Sequence, residues 1–269
     1  MSFAQTIVLG GIAGFTIFLG LPFARIRRIA DMWRIAAGAA ATGVLIFLLI
    51  DVAAHMVEPV EEAAQTVGDG NLGRLVALSL IALGGLVAGY LGLVLLPGML
   101  MGKKKVSEAP GAAASSVFEN PRTLSLLIAT GIGLHNFAEG LAIGHSAATG
   151  AASLALLLVI GFGLHNATEC FGITGPLIGK VRPSWGYLGL VGLIGGGPTF
   201  LGTIVGRSYA NDMVGTLFLA LAAGSILFVV QTMMYSGLRS GKTTAFSVAL
   251  VFGLILGIAT DLVIAATGV

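Results

Sequence analysis

The chain has 269 residues, of which 56% are hydrophobic and only 10% charged. A soluble domain carries roughly 25% charged residues and a disordered chain is more polar still, so both classes are excluded and a polytopic membrane protein remains. A helical span takes about 20 apolar residues, which leaves room for at most about ten spans and for no soluble domain of ordinary size. The 41 glycines are roughly twice the average share of ~7%, a sign of close helix–helix packing in a bilayer. A single cysteine excludes an internal disulfide and a Cys-built metal cluster.

Eight long apolar runs follow one another at about 4–21, 33–54, 72–101, 123–148, 151–179, 184–206, 211–236 and 244–267. All are predicted to be helices, because hydrocarbon offers no partner to an unpaired backbone group. The continuous runs do not show the alternation of a membrane β-barrel. The expected fold is thus an all-α polytopic membrane protein with eight transmembrane helices, in one domain covering 1–269. The longest internal loop is 102–121 and contains no histidine.

The basic residues sort by loop. Arg25, Arg27, Arg28, Arg34, Lys103, Lys104, Lys105, Arg122, Lys180, Arg182, Arg239 and Lys242 fall in odd-numbered loops, and only Arg74 and Arg207 in even-numbered ones. Lys and Arg collect on the cytoplasmic side, so both termini are expected outside and 102–121 inside. The first run has no basic residue before it and Arg25 after it, which suits a first span rather than a secretory signal. Arg207 and Asp212, in a short outer loop, read as solubilising charges.

The chemistry lies in a repeat. The segment from Gly131 to Gly140 reads GIGLHNFAEG, and that from Gly161 to Cys170 reads GFGLHNATEC. His135, Asn136 and Glu139 of the first correspond to His165, Asn166 and Glu169 of the second. Each His and Glu are four apart and share a helix face. The two runs are adjacent and antiparallel, and both histidines fall near the bilayer midplane. Four ligands would stack over about two turns, roughly 11 Å, and the glycine pairs would let the two helices approach. A carboxylate at midplane costs about 2.5–3.5 kcal/mol on insertion scales, and a divalent cation would neutralise both. His with carboxylate suits Zn, Fe or Mn better than Ca or Mg. Asn136 and Asn166 would add amide oxygens to the ion or hydrogen bonds to the carboxylates. A polar helix–helix clasp without metal is the bland alternative.

HNFAEGLAIG closely resembles the fourth-helix signature of the ZIP (Zrt-/Irt-like) metal transporters, and HNATEC resembles their fifth-helix signature. The resemblance implies a ZIP-like eight-helix bundle in a prokaryotic plasma membrane. It implies uptake of divalent cations (Zn2+, Fe2+, Mn2+ or Cd2+) toward the cytoplasm. The ion is cargo, and no prosthetic group is implied. It also implies ligands at His135, Asn136, Glu139, His165, Asn166 and Glu169, with helices 1, 4, 5 and 6 moving against 2, 3, 7 and 8. This chain departs from the family pattern at five places. Cys170 stands where the family has Gly after the second Glu. Ala138 and Thr168 stand where the family usually has Pro before each Glu. Gly197 stands where a Glu precedes Pro198. Gln231 stands where acidic residues commonly follow. A single central ion is therefore expected rather than two.

Other polar residues are accessory candidates. Asp51 and His55, followed by Glu58, Glu61 and Glu62, read either as a cation entry site or as solvated helix-end charge. His145 reads as interfacial before ligand, and Cys170 as a small packing residue before soft ligand. The expected partners are metal cations and lipid; a homodimer is open to the chain, and nucleic acid is not. The main alternative is an intramembrane metallohydrolase or metalloprotease using the same centre. A protease would want His-Glu-x-x-His, and here Asn follows each His. A bis-His haem carrier is disfavoured by the Glu one turn from each His.

Overall fold

The computed structural model describes residues 1–26, 30–101, 120–150, 152–208, 211–239 and 241–266, but not the His165 side chain. Arg27, Arg28 and Lys103–Lys105, with nearly all of the expected 102–121 loop, lie outside the described residues. Eight α-helices are described: α1 Phe3–Phe15, α2 Asp31–Gln65, α3 Leu72–Met101, α4 Pro121–Ala148, α5 Ala152–Thr174, α6 Trp185–Ser208, α7 Asp212–Leu238 and α8 Thr243–Ala266. Among the described residues there is no strand. Seven segments are long and apolar enough to cross a membrane, α1 being counted through Arg25. The 23-residue α5, which carries the second motif, is not among the seven. The chain is an all-α, multi-pass protein.

Local chemistry explains the starts. Ser2 and Gln5 form a capping box at α1. Asn120 accepts from the backbone N–H groups of Arg122 and Thr123 at 3.0 and 3.4 Å, with Pro121 pre-set for the first turn of α4. Asn211 accepts from Met213 N–H at 2.8 Å to open α7. Such a cap contributes about 1 kcal/mol.

The ends differ from the hydropathy runs. The expected span at 33–54 continues as helix to Gln65. Apolarity marks where the chain leaves lipid, not where its hydrogen-bond ladder stops, and Met56 and Ala63 still find burial. Pro59 sits inside this extension and, lacking an N–H, leaves the His55 carbonyl without its helical partner. The first run turns 3-10 over Thr16–Leu19 and Leu21–Arg25. There Gly20 lies so close to Cys170 Sγ that a Cβ would overlap it. The fifth run ends at Thr174 rather than 179, turning through Pro176 and Gly179, whose φ is +70°.

Glycine sets the packing. Along the extensive α4–α6 contact, a Cβ at Gly133, Gly140 or Gly144 would overlap a carbonyl of α6, and one at Gly202 or Gly206 a carbonyl of α4. Backbones at this range gain van der Waals contact that lipid cannot replace. The sequence reading aimed the motif glycines at the α4–α5 contact. Instead Gly133 faces Ile194 of α6, Gly131 faces Ser225 of α7 and Gly163 faces Thr16. Four-apart spacing defines a face, but the neighbour covering it is chosen by the whole bundle. α2 packs on α7 and α8, and α3 on α7.

Most of the described basic residues lie at one end, Arg74 and Arg207 at the other. Arg25 donates to the Pro183 carbonyl at 2.8 Å, and Tyr187 donates to the Arg122 carbonyl at 2.6 Å. At the opposite end Arg74 pairs with Asp212. Arg207 donates to Thr6 Oγ1 and to the Met1 carbonyl, both at 2.8 Å. Arg207 and Asp212 thus tie helices together, a role beyond solubility that loop position did not reveal.

Candidate metal centre

His135, Asn136 and Glu139 lie near the middle of α4, and Asn166 and Glu169 in α5; all five are buried, Glu169 at 0% exposure. His135 Nε2 is 3.3 Å from Glu139 Oε1, as four-residue spacing on one helix allows. The two asparagines behave alike. Asn136 Nδ2 donates to the Gly195 carbonyl of α6 at 2.9 Å. Asn166 Nδ2 donates to the Ala13 carbonyl of α1 at 3.1 Å and to Glu139 Oε2 at 3.4 Å. Each amide is therefore tied to a neighbouring helix's backbone, and Asn166 also reaches the carboxylate of the other motif. An amide nitrogen has two N–H groups and no acceptor capacity, so these contacts orient both side chains. Asn136 Oδ1 and Asn166 Oδ1 are left buried without a hydrogen-bond partner.

Asn166 and Glu139 thus meet across the contact between α4 and α5.

Among the described residues, no three His, Cys, Asp or Glu side chains gather closely enough to hold a metal ion. Instead, Glu139 meets both His135 and Asn166. The His165 backbone belongs to the same stretch of α5, and its side chain lies outside the described residues.

A cavity of about 340 Å³ reaches this region from the end that carries Asp212, and it is lined by Asp51, His55, His135, Glu139 and His145. His55 Nδ1 is 3.5 Å from Asp51 Oδ1 and 3.0 Å from the Asp51 carbonyl. The cavity thus collects three of the accessory candidates beside one half of the repeat. It also includes Thr216, whose buried hydroxyl has no hydrogen-bond partner. In the sequence Thr216 is marked only as a hydroxyl inside an apolar stretch of α7.

The remaining two accessory candidates lie elsewhere. Cys170 is fully buried against Gly20 and donates to the Ala167 carbonyl at 2.8 Å, so it packs. Gln231 is exposed on α7 and accepts from Tyr90 of α3. Toward the basic end, Ile128 and Ile132 of α4 are buried and meet Leu45 of α2 around Gly172 of α5, forming an apolar plug beyond the motifs.

No family model matches the chain, and no curated protein matches it.

Proposed function

We propose that this protein is a secondary transporter for divalent transition-metal cations, of the kind the resemblance to ZIP transporters suggests, and not an enzyme. One observation carries the reading: a water-accessible cavity with Asp51 and His55 at its wall ends on the buried His135 and Glu139. The buried, unpartnered Asn136 and Asn166 oxygens supplement it.

On this reading a hydrated cation is drawn to Asp51 and sheds water against His135 and Glu139. Neutral imidazole and carboxylate replace the lost hydration, and the cation offsets the insertion cost of the carboxylates. Amide oxygens of the asparagines extend the donor set without adding charge. The ion is cargo, and Zn2+, Fe2+, Mn2+ and Cd2+ all suit such donors. The plug at Ile128, Ile132 and Leu45 bars onward passage until the helices rearrange. We count eight spans, with α5 as the fifth, in a prokaryotic plasma membrane. Both termini lie outside and the basic end faces the cytoplasm.

Uptake of these four metals into proteoliposomes, with and without pH and voltage gradients, tests the function. Flux of at least one metal above that of empty vesicles is expected. Flux of none under any gradient would refute the reading. Sidedness is tested separately by Lys104→Cys on a Cys170→Ser background. Labelling from the inner face is expected, and labelling only from outside intact cells would reverse the orientation.

A further inference from the structure

A second cavity, of about 290 Å³, opens at the basic end of the bundle, on the far side of the plug from the motifs. Three cations from three separate segments line it: Arg34 in the first turn of α2, Lys180 after α5, and Lys242 before α8. Among the described residues, the one acidic residue in its lining is Asp31, whose carboxylate is engaged by Arg34 at 3.0 Å and is itself largely in solvent. The described lining therefore sets three cations against one carboxylate. Its rear wall is apolar, formed by Ile35, Leu124 and Met233.

We propose that this cavity is a binding site for a phosphate-class anion, held by Arg34, Lys180 and Lys242. Like charges brought into one partly enclosed space repel more strongly than in bulk water, and an anion relieves that repulsion. Burial first, and then the positive charge of Arg34, hold the Lys180 amine below its usual value, as such crowding requires. A divalent cation would meet the opposite of what it needs here. Phosphate oxygens suit the site because Lys supplies point charges and the Arg fork is planar and multidentate. Basic pockets between membrane helices accept phospholipid headgroups in this way, and the apolar rear wall admits the glycerol end of one. Free phosphate would use the same cations.

The test is calorimetric titration of the purified full chain, in uncharged detergent at low salt, with three probes. These are dihexanoyl phosphatidic acid, inorganic phosphate and dihexanoyl phosphatidylcholine. We expect saturable binding of phosphatidic acid that weakens as salt rises. The Lys180→Gln/Lys242→Gln variant should weaken it about tenfold or more, while Lys180→Arg/Lys242→Arg retains it and controls for folding. Binding of phosphatidic acid alone identifies a lipid headgroup as the occupant. Saturable inorganic phosphate that competes with it identifies a free anion. Either result supports the site. No saturable binding of either anion, equal binding of phosphatidylcholine, or a Gln-variant loss under threefold overturns it.

Discussion

Asn166 Nδ2 stands 3.4 Å from Glu139 Oε2, so the asparagine after the second histidine serves the glutamate of the first motif. A repeat met in sequence as two separate ligand strings is, in space, one joined figure.

Carboxylate charge at the cavity floor is the first point to test. Glu139→Gln keeps an oxygen to accept from Asn166 but removes the charge, and His135→Ala removes a nitrogen ligand. Each is expected to reduce metal uptake to near background in proteoliposomes while the protein still elutes as a folded species. Wild-type uptake by Glu139→Gln at equal abundance would sink the transport-site assignment.

The number of ions follows from charge. Two adjacent divalent cations carry four positive charges, and the motifs supply two carboxylates, Glu139 and Glu169. Gly197 adds none, and Gln231 is turned to Tyr90. Like charges a few ångströms apart repel strongly where the dielectric is low. One tightly bound ion per chain is therefore expected at the centre, by calorimetry with metal analysis. Two midplane ions of similar high affinity would refute this and point to hydroxide or another donor.

The amides also carry stability. Asn166→Ala removes the bonds to the Ala13 carbonyl and to Glu139. At roughly 0.6 kcal/mol per hydrogen bond in a membrane protein, with a ceiling near 1.7, a loss of about 1–3 kcal/mol is expected. Asn136→Ala, which removes the bond to the Gly195 carbonyl, should cost about half as much. Denaturant unfolding in mixed micelles measures it, and an unchanged midpoint for both would show the ties to be idle.

Glycine positions divide by what a Cβ would meet. At Gly140 it would overlap the Thr199 carbonyl, whereas at Gly84 it would meet open space. Gly140→Ala should therefore destabilise by about 1–3 kcal/mol, as overpacking does. Gly84→Ala should be neutral, or stabilising by up to ~1 kcal/mol, because Ala is the better helix former. Thermal melting in detergent compares them; equal shifts would contradict the packing described.

Much of this was legible in the sequence. The bounds of α3, Leu72–Met101, coincide with its hydropathy run because the whole helix is apolar. α2 overran its run by eleven residues, 54 to 65, since a helix need not stop where lipid does. The type and clustering of the motif residues were readable because buried charge in apolar helices is costly and conspicuous. Their partners were not: Gly195 and Ala13 take part through backbone carbonyls, which every residue has and no side-chain pattern marks. For the same reason Gly133 gave no sign that α6, and not α5, would cover it.

The two asparagines are also fasteners. Asn136 joins α4 to α6 through Gly195. Asn166 joins α5 to α1 through Ala13 and to α4 through Glu139. Two side chains thus bolt four helices together at the depth of the carboxylates, while Tyr90 with Gln231 and Arg74 with Asp212 lash α3 to α7. To slide one of the four past its companions, a buried hydrogen bond must break. The cheaper displacement moves all four as a block, and a cation gripped at Glu139 would ride with that block instead of threading between its parts.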